Sequence, residues 1–235
     1  MCKRPLRSRS GGPGDPGDIG RRAALVRSPR SEARGERNPE APGKARANTW
    51  AQAKVTYARP EDIPADKFPP YWTDVREADG KSALDDLMDK YDQYCAYLAM
   101  RIERATGSPT VDHFVPKERD WQLVYEWSNY RLSAGCVNGA KSTKDVVDPF
   151  EVQLGWFELD LDTFYVRRGA PAPPAEHARI DETLPILNLR QCLAQRGDFI
   201  TRYRDKKIDL PHLEFYAPFI ASEYRRQGRL HLGDA

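Results

Sequence analysis

Apolar positions along the chain fall into three regimes, and each predicts different elements. From residue 82 onward Leu84, Leu87, Met88, Tyr91, Tyr94, Cys95, Leu98 and Ile102 recur at helical spacing. Ser82 reads as the N-cap and Asp85 and Asp86 suit the first turn, so one helix is expected up to the stop at Gly107-Ser108-Pro109. After Pro109 the pattern becomes strand-like over 110–115 and closes at Pro116. A polar loop, an aromatic segment 121–132 and a Gly-flanked turn into Asn138 follow. Residues 139–147 suit a short helix with Lys141 and Lys144 on one side, ended by Asp148-Pro149. Segments 151–154 and 156–166 read as strands and 169–174 as a linker. The last part reads as helical: Leu189, Cys192, Leu193, Phe199, Ile200 and Tyr203 fall at helix spacing, and a second helix is expected over 215–227.

The first 47 residues break from this pattern. They hold twelve Lys/Arg against five Asp/Glu, 12 − 5 = +7, with seven Gly, six Pro and no aromatic residue. Such a stretch buries too little surface to offset its ordering entropy, so 1–47 reads as a disordered basic tail. It is either an arm adding sequence-independent affinity for nucleic acid or a solvated tail, including codons upstream of the true start. Residues 48–235 then form the folded domain and carry −5, because the whole chain is +2. Within it the Pro-rich stretch 50–80, with Tyr57, Phe68, Tyr71 and Trp72, suits an irregular wrap.

With 235 residues, five Trp, eight Phe and eleven Tyr, full disorder is excluded. No apolar run approaches the ~18 residues of a membrane span, and no secretory core is visible, so a cytoplasmic protein without membrane contact is expected. Cys2, Cys95, Cys136 and Cys192 form no Cys-x-x-Cys pair, so neither a disulfide framework nor a zinc knuckle is read from them.

The chemistry concentrates in Asp112-His113-Phe114-Val115-Pro116, Asn129-Tyr130-Arg131-Leu132 and Asn138-Gly139-Ala140-Lys141. Phosphodiester hydrolysis needs a cation at the phosphate and a base titrating near neutrality. His113 suits the base. The Asp112 carboxylate and the Asn138 amide oxygen suffice as a pair for Mg²⁺, which keeps several waters, and Mn²⁺ tolerates the same ligands. Asn129 either fixes the loop through backbone hydrogen bonds or orients the His113 imidazole. If Asn138 opens a helix, its N-terminal amides favour a phosphate, and Lys141, Lys144 and Lys117 extend a cationic surface for the nucleic-acid backbone. Adjacent strand residues point to opposite faces, so Asp112 and His113 serve one site only where the strand bends or ends.

These three segments resemble the HNH endonuclease family, the ββα-metal nucleases. Asp112 to Pro116 is similar to its Asp-His-hydrophobic-x-Pro opening, Asn129 to Leu132 to its central Asn segment, and Asn138 to Lys141 to its final Asn-x-x-Lys. The resemblance implies an α+β, mainly helical fold, with a ββα-metal core over about 95–150 set among helices and a helical extension over about 175–235. It implies one divalent ion on Asp112 and Asn138, His113 as base and Asn129 as orienter. Asp148-Pro149-Phe150 and residues 183–189 are similar to the HNH proteins that accompany an ATPase in Septu-type and retron-linked anti-phage defence. That would imply an ATPase partner and a nucleic-acid target, DNA before RNA. Many family members brace the motif with a structural zinc on two Cys-x-x-Cys pairs. Here Leu98, Ala134 and Val137 stand at ligand positions, so structural zinc is not expected and Cys95 reads as core packing. The rivals are a catalytically silent module that grips nucleic acid or a partner, and a thiol–imidazole hydrolase built on Cys136 and His113, for which no orienting group is visible.

Overall fold

The computed structural model describes residues 82–124 and 126–234. The expected tail 1–47 and aromatic wrap 50–80 lie outside the described residues, as does Tyr125. Among the described residues the chain is α+β, with six helices and two small antiparallel sheets.

Helix α1 spans Ala83–Lys90. Ser82 caps it through a reciprocal box with Asp85, and Lys90 pairs with Asp86 one turn back. The long helix expected up to Gly107 ends here instead. Asp92 and Gln93 turn into the left-handed region, and Tyr94 bridges back to Arg101. Burial supplies the reason: Cys95, Ala96, Tyr97, Ala99, Met100 and Ile102 are all buried. A helix buries a stripe, whereas this segment buries six of its eight residues from Cys95 to Ile102, with Leu98 and Arg101 partly buried, so it folds as a plug. The Ala96 amide donates to the Leu132 carbonyl and ties the plug to the sheet.

Strand β1, Pro109–His113, pairs antiparallel with β2, Tyr130–Ala134, placing Asp112 opposite Arg131 and His113 opposite Tyr130. Helix α2, Gly135–Lys141, follows β2 without a loop. It starts four residues before the expected 139–147 and ends at Ser142, whose φ is +48°. Gly135 and Gly139 read as a turn, but tertiary packing overrides their low helix propensity. Val137 and Lys141 are both fully buried.

A second pair, β3 (Phe157–Leu159) and β4 (Val166–Arg168), replaces the single strand expected over 156–166. The Asp160 carboxylate accepts from the Asp162 and Thr163 amides and turns the chain between them. Residues 151–154 form no strand. The C-terminal part is helical: α3 His177–Leu187, α4 Arg190–Arg204, α5 Leu210–Tyr216 and α6 Pro218–Arg226. The helix expected over 215–227 is split at Pro218, which starts α6. One apolar core runs from Leu87, Leu132 and Val137 to Ile200, Leu213 and Ile220.

Candidate active site

Asp112 and His113 end β1, where the alternation of the strand sends their side chains into different surroundings. The Asp112 side chain faces α2 and the 91–102 plug. Its Oδ1 accepts from Lys141 Nζ at 3.0 Å, its Oδ2 accepts from the Tyr97 hydroxyl at 2.5 Å, and the residue is 2% exposed. Lys141 also donates to the His113 main-chain carbonyl at 2.7 Å. Burial, and then the Asp112 charge, push the Tyr97 phenol well above its ordinary range, so it stays a donor.

The His113 ring lies toward the 121–124 turn and Tyr130. Its Nε2 is 2.8 Å from the Val124 carbonyl, and its ring meets Tyr130 edge to face at 5.2 Å. A carbonyl only accepts, so Nε2 carries the proton and Nδ1 keeps the lone pair. Burial draws the imidazole below its ordinary value of 6.5, against the opposing Val124 bond and Asp112 charge. The ring is therefore neutral at pH 7, in the tautomer a base needs.

Asn129 takes the first of the two roles left open for it. Its Oδ1 accepts from the Val115 amide at 2.7 Å, and its Nδ2 donates to the Val115 and Leu123 carbonyls. These three bonds clamp both ends of the loop that carries Val124, the His113 acceptor. The imidazole is held by that loop, one step removed from Asn129.

Asn138 does not open its helix. It is the fourth residue of α2, so no helix-end anion site forms at it, and its Nδ2 donates to Thr110 Oγ1 at 3.2 Å and the Val111 carbonyl at 3.1 Å. Lys141 also departs from the expectation. Its ammonium is buried against Asp112 and does not extend a surface for phosphates. Lys117 and Lys144 are exposed, as a backbone-binding surface requires.

Sequence patterning missed Tyr97 and Asp148 as members of this centre. Arg131, opposite Asp112, makes a two-pronged bond to Asp148 at 3.0 and 2.6 Å and lies over the Phe150 and Phe114 rings. A buried arginine needs acceptors, of which a carboxylate is the strongest, so an Arg inside an apolar strand was the available signal for a partner such as Asp148. Tyr97 gave none, because its position depends on the plug.

Carboxylate and amide oxygens are the right kind of donor for a hard divalent ion. Asp112, however, is already neutralised by an ammonium 3.0 Å away and hydrogen-bonded on its other oxygen. A divalent ion at that carboxylate competes directly with Lys141, so the residues as arranged do not fit the ion. Among the described residues no cluster of three or more His, Cys, Asp or Glu could hold a metal. Comparison with protein-family profiles finds no match to the chain, and no curated protein matches it.

Proposed function

We propose that the chain is an HNH-type endonuclease that hydrolyses phosphodiester bonds of nucleic acid, DNA before RNA, with His113 as general base. The observation that carries this is the His113 ring, neutral at pH 7, with Nε2–H committed to the Val124 carbonyl, which makes Nδ1 the basic nitrogen. Nδ1 takes the proton of the attacking water, and the Nε2–H bond to the carbonyl strengthens as the ring becomes positive. The Asp112 charge favours the same protonated state. Asn129 positions the loop that holds the ring, and Lys117 and Lys144 supply salt-dependent contacts to backbone phosphates.

An Mg²⁺ or Mn²⁺ requirement belongs to the same proposal on the condition that the ion displaces Lys141 from Asp112. The test is cleavage of plasmid and single-stranded DNA in Mg²⁺, in Mn²⁺ and in chelator, comparing the native chain with His113→Ala. A general base contributes about 10²–10⁴-fold, so His113→Ala is expected to lose at least about a hundredfold of the cutting and to keep its DNA affinity. Equal cutting by the two proteins would overturn the assignment. Cutting in chelator would show that no divalent ion is required.

One observation favours a second reading. An Asp112 fully engaged by Lys141 and Tyr97 is what a silent module that only grips nucleic acid or a protein would contain. DNA binding by the native chain without cutting in any arm, alone or with an ATPase partner, selects that reading. Among the described residues no helix is long and apolar enough to cross a membrane. Cytoplasmic residence stands as part of the proposal, as does an ATPase partner in anti-phage defence, the latter supported by the sequence resemblance.

A further inference from the structure

The three described cysteines are far apart in sequence but line one cavity of about 460 Å³. Cys95 enters it from the 91–102 plug, Cys136 from the first turn of α2 and Cys192 from the first turn of α4. They differ in access: Cys136 is exposed, whereas Cys95 and Cys192 are buried. They also differ in what holds them. Cys95 sulfur accepts from the Ala134 amide at 3.5 Å and from the Tyr97 and Leu98 amides, so it is tied into the plug. Cys192 and Cys136 instead face the same cavity, close enough that, beyond burial, a charge on Cys136 raises the Cys192 thiol.

We propose that Cys136 and Cys192 are an oxidisable thiol pair, which a peroxide joins into a disulfide tying α2 to α4. In the first step hydrogen peroxide oxidises the exposed Cys136 thiol to a sulfenic acid and is itself reduced, with release of one water. In the second the Cys192 sulfur attacks the sulfenic sulfur, the S–S bond forms and a second water leaves. Two thiols and one peroxide thus become one disulfide and two waters. Burial raises the Cys192 thiol to about 12, which suits a group that waits for its neighbour to be oxidised rather than reacting first. A transient, reversible bridge is the form of disulfide a reducing compartment permits. Because α2 also carries Asn138 and Lys141, the bridge regulates cleavage. That consequence rests on the nuclease reading, whereas the bridge does not.

The experiment treats the full chain with hydrogen peroxide and then with dithiothreitol, mapping disulfides by peptide mass spectrometry after each step. Expected is a Cys136–Cys192 linked peptide within one chain, loss of two of the four thiols, and complete reversal by dithiothreitol. Cys136→Ser, at an exposed position, is expected to keep all its remaining thiols at the same dose. A link between two chains, a link to Cys2 or Cys95, or Cys136 sulfinic acid with Cys192 untouched would each overturn the pair. Cleavage is read separately: at least a tenfold fall on oxidation, absent in Cys136→Ser, supports regulation. An unchanged rate in fully bridged protein overturns the regulation alone.

Discussion

Around β1, β2 and α2 the interior holds two complete ion pairs, Lys141 with Asp112 and Arg131 with Asp148. The helical layer from α3 to α6 buries charge differently. Arg196 there spends its guanidinium on the Phe164 and Leu187 carbonyls and the Asn188 amide oxygen, and burial pulls it down to about 10. Glu223 accepts from the Leu159 amide, with the more exposed Arg226 as its counterion. In the helical layer each buried charge satisfies backbone groups left open at β3, in the turn after it or at the end of α3, so the fold alone explains it. Arg131 does some of the same work, donating to the Ser128 and Tyr130 carbonyls. The Lys141–Asp112 pair is different. Apart from one bond from Lys141 to the His113 carbonyl, it closes a carboxylate and an ammonium on each other, where an apolar pair of similar volume would often be as stable. Stability therefore does not account for this pair as it accounts for the buried charges of the helical layer.

That contrast can be broken most forcefully at Lys141. Lys141→Ala leaves Asp112 buried and unpaired and is expected to cost about 3–5 kcal/mol in urea unfolding. Asp112→Leu combined with Lys141→Met should recover most of that loss, because both charges go together; failure to recover would mean the pair holds the fold in some other way. Arg196→Met sharpens the other side of the comparison. It should cost about 1–3 kcal/mol by orphaning carbonyls, and no change at a single partner should repair it. Asn129→Ala should cost a similar or smaller amount, about 1–3 kcal/mol, and should expose the 114–129 loop to protease before the rest of the chain. The smallest effect is that of pH on stability. The imidazole of His113 lies below 6.5 in the fold, so its contribution is fully present above about pH 6.5 and is lost as pH falls toward the folded value. The melting temperature of His113→Gln should therefore depend less on pH across that window than that of the native chain.

Much of this was legible in the residues. Ser82 with Asp85 announces a helix start, and the apolar spacing from Leu189 to Tyr203 announces α4, because local chemistry and burial agree there. The 91–102 plug was illegible: its apolar residues fit a helical period, yet nearly all of them are buried, and Tyr94 and Leu98 are partly so. Strand β2 and the early start of α2 were hidden for a related reason. Aromatic residues and glycines suggested loops, and only the pairing with β1 resolves them. In the site, His113 and Asn129 could be named from residue type and spacing. The surroundings of Lys141 could not, because side-chain direction on a helix depends on a boundary that moved by four residues.

The most direct measurement is the rate of DNA nicking against pH for the native chain and for His113→Ala. The native rate should climb with pH through a midpoint below 6.5 and level off by neutrality, as the His113 ring gives up its proton, with His113→Ala at least about a hundredfold slower throughout. A His113→Ala protein that nicks at the native rate with the same pH profile would contradict the assignment of His113 as the base.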